Sequence, residues 1–305
     1  MATNSPTRAT DSSRIVPLTR LFPFVQLDLP GALALADGRY VLRDGERERV
    51  LVVETHGAPP SPRRKRRKPR AATPDAKPQP LPLSRATLVR AFAAFDDEVA
   101  AERWLARTTT EEEAIDDLVA EAIATLNQAL HAHAVASADP HPQAVTAERV
   151  VAARLGYGSG QQVAVGESSV AREVDIHAGT SSRRRRDDEL RPQERVAAVL
   201  GGRETLDACE TLLLRARADL DAGRTREAAL QLRVGLEALL VELPGALEDP
   251  DHDADMQAIA SRRDEAIKLA TSALSGDLDP TESARVADLL SLCERVLRRR
   301  RILSS

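Results

Sequence analysis

Leucine and alanine recur at alternating steps of three and four residues in the last third of the chain. Over residues 203–222 the positions are Leu206, Cys209, Leu213, Ala216 and Leu220, and residues 225–243 repeat the spacing. Steps of three and four place side chains on one face of a helix, and an apolar face of this kind packs against a neighbour. The pattern therefore predicts amphipathic helices that pack against one another.

Two further helices are predicted after residue 250. One spans about 254–275 and ends at Gly276. The other begins at Pro280, since proline is tolerated at the first position of a helix. Short connections make consecutive helices antiparallel neighbours. Residues 192–305 are therefore predicted to form an antiparallel helical bundle.

The scarcity of aromatic residues favours helices in the rest of the chain as well. The 305 residues include one Trp, two Tyr and four Phe, so a core must be built from Ala, Leu and Val. Ala and Leu lose little freedom in a helix, whereas strands favour aromatic and β-branched residues. The predicted fold class is therefore mainly α within an α+β protein, with a small N-terminal β unit. Few aromatic rings also argue against single-stranded nucleic-acid binding by base stacking.

The predicted β unit is built around a hairpin. Strand formers at 38–43 and 47–55 flank Asp44-Gly45, and an Asp-Gly pair supplies the positive φ angles of a tight turn. The run at 50–53 is apolar throughout, which predicts a central strand. A further strand within 85–95 is expected to pair back onto the hairpin.

Four regions are predicted along the chain. They are a disordered tail at 1–14, an α+β region at 15–175, an Arg-rich loop at 176–191 and the helical bundle at 192–305.

A Pro-rich basic segment at 57–82 interrupts the α+β region. It contains eight of the 18 prolines and eight basic residues against one acidic residue, so its net charge is +7. It cannot bury apolar surface and is predicted to be a disordered loop. A basic segment without compensating acids can hold nucleic acid or another polyanion electrostatically. The candidate polyanion-binding residues are Arg63, Arg64, Lys65, Arg66, Arg67, Lys68 and Arg70.

The helical pair around Gly223 resembles a single tetratricopeptide repeat. Small or apolar residues follow the spacing of that family at Ala216, Ala228, Leu232 and Gly235. The resemblance covers about residues 209–243, although Leu240 stands where the family has proline and no copy recurs about 34 residues away. It implies a helical surface that binds a partner. No family is recognised for the whole chain.

Potential metal ligands are densest at His131, His133, Asp139 and His141. Only positions three or four apart share a face of a helix, so His131 and His133 are expected to point in different directions. Cys209 and Cys293 show neither CxxC nor Cys/His spacing, which argues against a zinc site or a disulfide framework. The sequence therefore predicts no metal ligands.

No catalytic or cofactor motif is found either. The Gly-rich run at 156–160 lacks the spacing of a dinucleotide-binding loop and is predicted to end a short helix at 147–155. There is no GxSxG motif, and no pair of carboxylates can be assigned to acid–base catalysis. We therefore predict neither catalytic nor cofactor-binding residues, and no cofactor.

The predicted location is the cytoplasm, because no run approaches the ~18 apolar residues of a membrane span. The predicted function is a non-enzymatic interaction or scaffold role, with a protein partner bound on the helical surface and no contact with a membrane. One alternative is a nucleic-acid-associated accessory protein that uses residues 63–70. Another is an enzyme with an unrecognised site around residues 131–141 and Tyr157.

Overall fold

A computed structural model of the chain shows two compact units, residues 1–178 and 179–305, each with its own hydrophobic core. The described residues are 20–45, 47–57, 81–141, 143–164, 170–176, 193, 195–243 and 250–303. Three predicted features lie outside them: the tail at 1–14, positions 58–80 of the basic loop, and positions 177–191 of the Arg-rich loop.

The predicted hairpin is confirmed. Strands β2 (Gly38–Asp44) and β3 (Arg47–His56) pair antiparallel, and Gly45 adopts a φ of 56° in the turn between them. Strand β4 (Leu83–Val89) pairs with the other edge of β3, so β3 is an internal strand. The expected return of the chain onto the hairpin is therefore also confirmed.

The hairpin belongs to a larger sheet than the sequence predicts. Strands β1 (Leu21–Pro30), β5 (Ala152–Ser159) and β6 (Val170–Val174) join the first three, and all neighbours are antiparallel. Within the described residues the sheet has six strands in the order β2-β3-β4-β1-β5-β6. The predicted fold class, mainly α with a small β unit, is therefore wrong: the first unit is organised around a sheet.

The helix predicted at 147–155 is also wrong. Only Ala147–Arg149 form a 3-10 turn, and β5 then runs through the glycines that were expected to end a helix. Ala153, Leu155 and Tyr157 alternate along β5 and are buried together on one face. Gly156 lies on the opposite face, directly across from Phe24 of β1. Residues 156–159 of the Gly-rich run therefore belong to a strand, and Gly160 begins the helix that follows it.

Two helices cover one face of the sheet. Helix α1 (Glu98–Thr108) is capped by Asp97, whose Oδ1 accepts a hydrogen bond of 2.7 Å from the backbone N–H of Ala100. Helix α2 (Glu112–Ser137) follows after a short turn. Leu105 and Leu126 pack on the sheet residues Leu27, Leu51, Leu88 and Leu155 in one core. Helix α3 (Gly160–Ala164) places Val163 beside Phe24 and Val89, on the other face.

The second unit is helical in its described residues. Residues 195–200 lie in a first helix (α4). The helices that follow are α5 (Ala208–Asp221), α6 (Thr225–Glu242), α7 (Pro250–Ser261), α8 (Arg263–Ser275) and α9 (Pro280–Leu303). The predicted helix at 254–275 is in fact α7 and α8, because the helix is interrupted at Arg262. The predicted helix at 225–243 and the start at Pro280 are confirmed.

Polar contacts at the helix ends show that the neighbouring helices of this unit are antiparallel. The carboxylate of Glu242, at the end of α6, accepts hydrogen bonds from the backbone N–H groups of Ala208 and Cys209 at the start of α5, at 3.3 and 3.0 Å. Arg226, at the start of α6, donates to the carbonyl oxygen of Ala273 near the end of α8, at 2.8 Å. The predicted helix at 203–222 begins later than expected, at Ala208, and Leu206 of its stripe is exposed. Cys209, Leu213 and Ala216 of that stripe are buried in the core that α5 forms with α6 and α9.

Candidate partner-binding groove

The candidate polyanion-binding residues Arg63, Arg64, Lys65, Arg66, Arg67, Lys68 and Arg70 lie outside the described residues. The structure does show where their segment is attached. His56, the last residue of β3, is paired with Leu83, the first residue of β4. Both ends of the segment are therefore fixed at one end of two neighbouring strands.

The histidine-rich stretch does not come together as a metal site. His131 and His133 are both half-buried near the end of α2, and Oδ1 of Asp139 accepts a hydrogen bond of 2.9 Å from the backbone N–H of His141. Among the residues that the structure describes, no group of three or more His, Cys, Asp or Glu side chains is arranged to hold a metal ion. The aspartate instead shapes the turn that follows α2.

Tyr157 holds elements of the first unit together. Its hydroxyl donates to Oε2 of Glu102 on α1 at 3.2 Å, and Arg172 of β6 donates to the other carboxylate oxygen at 2.5 Å. Burial raises the pKa of Tyr157, and the hydrogen bond to Glu102 raises it further. The phenol is therefore protonated at neutral pH and connects α1 to β5 and, through Glu102, to β6.

Both cysteines lie in the core of the second unit. Burial raises the pKa of the Cys209 and Cys293 thiols to about 12. The reactive form of cysteine is the thiolate. At neutral pH these side chains therefore behave as small apolar core residues.

A groove opens on the surface of the second unit between α5 and α9, with a volume of about 220 Å³. Its lining residues are Glu210, Leu213, Leu214, Glu294, Leu297 and Arg298. Leu213 and Leu297 are buried and form an apolar floor, whereas Leu214 is 71% exposed. A large aliphatic side chain is thus left in water beside an apolar floor.

The local sequence explains why Leu214 is exposed. Leu213 belongs to the buried stripe of α5, and Leu214 is rotated by about 100° from it around the helix axis. On α9, Leu297 also follows a residue of the buried stripe, Val296, but Leu297 is itself buried. The groove therefore lies between an exposed leucine of α5 and a buried leucine of α9.

The two acids of the groove are held by arginines. Arg195 donates to both oxygens of Glu210, at 2.9 and 2.7 Å, and Arg217 donates to both oxygens of Glu294, at 2.7 and 2.8 Å. The hydrogen bonds to these acids raise the pKa of each arginine. Two-point contacts of this kind fix the orientation of both side chains. The polar rim is therefore preorganised.

Leu214 and Arg298 are not among the functional residues predicted from the sequence. The signal that points to Leu214 is that it directly follows Leu213 and so lies outside the buried stripe of α5. The facing residue Leu297 lies more than eighty positions away, so the groove depends on a tertiary contact that spacing along the chain does not reveal.

Comparison of the chain with protein-family models, with curated proteins and with solved structures finds no match. Over the described residues, none of the helices combines the length and the hydrophobicity that crossing a membrane requires.

Proposed function

We propose that the chain is a non-enzymatic interaction protein that binds a partner protein in the groove between α5 and α9. The observation that carries this proposal is the exposure of Leu214 beside the buried floor of Leu213 and Leu297. Protein–protein interfaces have an apolar core surrounded by a polar rim. The ion-paired carboxylates of Glu210 and Glu294 supply such a rim, and its rigidity reduces the entropy lost on binding.

The direct test replaces the exposed leucine. Leu214→Asp places a charge at the apolar wall, and Leu274→Asp on α8 is the matched control, because Leu274 is 66% exposed but does not line the groove. We expect proteins captured from extracts of the source organism by the unaltered chain to be lost with Leu214→Asp and kept with Leu274→Asp. Equal capture by all three chains would contradict the proposal.

A second candidate function is polyanion binding by residues 63–70. The pairing of His56 with Leu83 favours it, because hairpin loops usually contain about two to five residues and this connection spans 57–82. Long loops fixed on a rigid scaffold are frequent binding elements. A net charge of +7 between two fixed ends suits a backbone of phosphates.

Nucleic-acid binding at increasing salt tests this candidate. Arg63, Arg64, Arg66 and Arg67 are changed to Gln, and the matched control changes the four arginines at 183–186. We expect the first variant to lose DNA or RNA retention at low salt and the control to keep it. Equal retention by both variants would exclude residues 63–70 as the binding element.

A further inference from the structure

The arginines at positions 298–300, near the end of α9, make two different kinds of contact. Arg299 pairs with Asp251 at 3.4 Å and with Asp255 at 3.6 Å, both on α7, and Arg300 pairs with Asp207 before α5. Arg298 lies between these positions and Leu297, is exposed, and forms no ion pair with any described residue. Two of these arginines therefore hold the bundle together, and Arg298 faces the groove instead.

Arg298 is also distinct from the other charged residues of the groove. The carboxylates of Glu210 and Glu294 already accept two hydrogen bonds each from an arginine. A guanidinium carries five N–H donors in a planar fork. Those of Arg298 are not used by any described side chain, and a carboxylate matches the fork with two parallel hydrogen bonds.

The shape of the groove favours a helix as its occupant. Its walls are α5 and α9, which run antiparallel because Arg300 near the end of α9 pairs with Asp207 just before α5. Helical walls offer no strand edge to which an extended peptide could add. An amphipathic helix places apolar anchors and polar residues on one face at steps of three or four. A cavity of about 150 Å³ binds benzene, so a groove of about 220 Å³ takes one large side chain.

We infer that the groove binds an amphipathic helix of a partner protein, with one apolar side chain on the floor of Leu213 and Leu297, beside Leu214, and a carboxylate one turn away on Arg298. This inference rests on the function proposed for the groove. It adds the chemistry of the partner: an apolar residue with Asp or Glu three or four positions from it.

A displayed library of helical peptides tests the inference on the full chain. Each peptide carries one fixed leucine, with the positions three and four residues on either side randomised. Selection is run on the unaltered chain, on Arg298→Glu and on Leu214→Asp. We expect Asp or Glu to be enriched with the unaltered chain, Lys or Arg with Arg298→Glu, and no common peptide with Leu214→Asp.

The outcomes separate the inference from the proposed function. Peptides that need Leu214 but show no preference for acids would overturn the inference and leave the groove as a binding site. Peptides that bind Leu214→Asp as well as the unaltered chain would overturn both.

A charge swap then measures the pair itself. An acidic peptide should bind Arg298→Glu about fivefold more weakly than the unaltered chain, since an exposed ion pair contributes up to about 1 kcal/mol. Replacing its acid by lysine should restore binding to Arg298→Glu. A loss without such rescue would also overturn the inference. Circular dichroism checks that the variant keeps its helices.

Discussion

The ring of Phe24 lies against the backbone of Gly156 in the neighbouring strand. A Cβ atom built on Gly156 would stand 2.4 Å from Cζ of Phe24 and 2.3 Å from the carbonyl oxygen of Val170. Gly158, two residues further along the same face, has more room, since the nearest atom to its Cβ would be Cγ2 of Val163 at 3.4 Å. There is therefore no room for a side chain at position 156, whereas position 158 can hold a methyl group.

Gly156→Ala is predicted to destabilise the first unit by about 1–3 kcal/mol, the usual cost of overpacking. Gly158→Ala is the control, and its free energy of unfolding should change by less than about 1 kcal/mol. Trp104 is the only tryptophan of the chain and lies in α1. Its fluorescence during denaturant unfolding follows this unit. Equal stability of the two variants would contradict the close approach of Phe24.

A buried carboxylate on β1 links the two neighbouring strands of the same sheet, β4 and β5. Asp28 is 4% exposed, and its carboxylate accepts hydrogen bonds from Arg85 Nε at 2.8 Å and from Arg154 Nη1 at 2.7 Å. Burial opposes the ionisation of Asp28, but the hydrogen bonds from both arginines outweigh it and lower its pKa below the ordinary value. The ionised form is therefore the one that stabilises the fold.

Asp28→Asn is predicted to lower the free energy of unfolding by about 3 kcal/mol at neutral pH, because Arg85 and Arg154 lose the buried carboxylate that they share. The folded pKa lies below the unfolded one, so this contribution is complete above about pH 4 and is lost as the pH falls through the folded pKa. The difference between the unaltered chain and the variant should therefore shrink below about pH 4.

The control for this experiment is Glu173→Gln. Glu173 pairs with Arg154 at 3.3 Å from an exposed position, and such pairs contribute less than about 1 kcal/mol. The same small effect of Asp28→Asn and Glu173→Gln at every pH would show that the buried Asp28 network does not stabilise the fold.

The start of α5 is capped by a residue from another helix. Asp207, at the N-cap position, makes no side-chain capping hydrogen bond, and Glu242 of α6 accepts from Ala208 and Cys209 instead. The hydrogen bond from the backbone N–H of Cys209 lowers the pKa of Glu242. Glu242→Ala is predicted to cost about 1–2 kcal/mol, the range for a lost helix cap, and Val241→Ala next to it should cost less.

The unfolding of the second unit can be followed by chemical labelling of its two buried cysteines. Because burial raises the pKa of both thiols to about 12, they should not react with a thiol reagent at pH 8 in the folded protein. Labelling in increasing denaturant then reports unfolding, and Glu242→Ala should shift the curve to lower denaturant. Rapid labelling of the folded chain would show that the core around Cys209 and Cys293 is open.

Particular residues explain what could be predicted from the sequence. Asp44-Gly45 determines the hairpin locally, so β2 and β3 could be predicted. In β5, the run Ala152-Ala153-Arg154-Leu155 consists largely of good helix formers, and burial of alternate side chains overrode that preference. The break at Arg262 has no glycine or proline to indicate it.

The groove depends on still longer separations along the chain. Leu214 can be seen in the sequence as a leucine outside the stripe of α5, but its significance comes from Leu297 and Arg298 on α9. Those contacts exist only once the helices have packed. Spacing along one helix predicts which of its side chains are buried. It does not predict which residues of two distant helices come into contact.

Partner binding at Leu214 can be tested by site-specific photo-crosslinking in cells of the source organism. A photoreactive amino acid is placed at position 214 in one chain and at position 274 in another. We expect a crosslinked protein partner from position 214 and none from position 274. The same products from both positions, or no product from position 214, would contradict partner binding at Leu214.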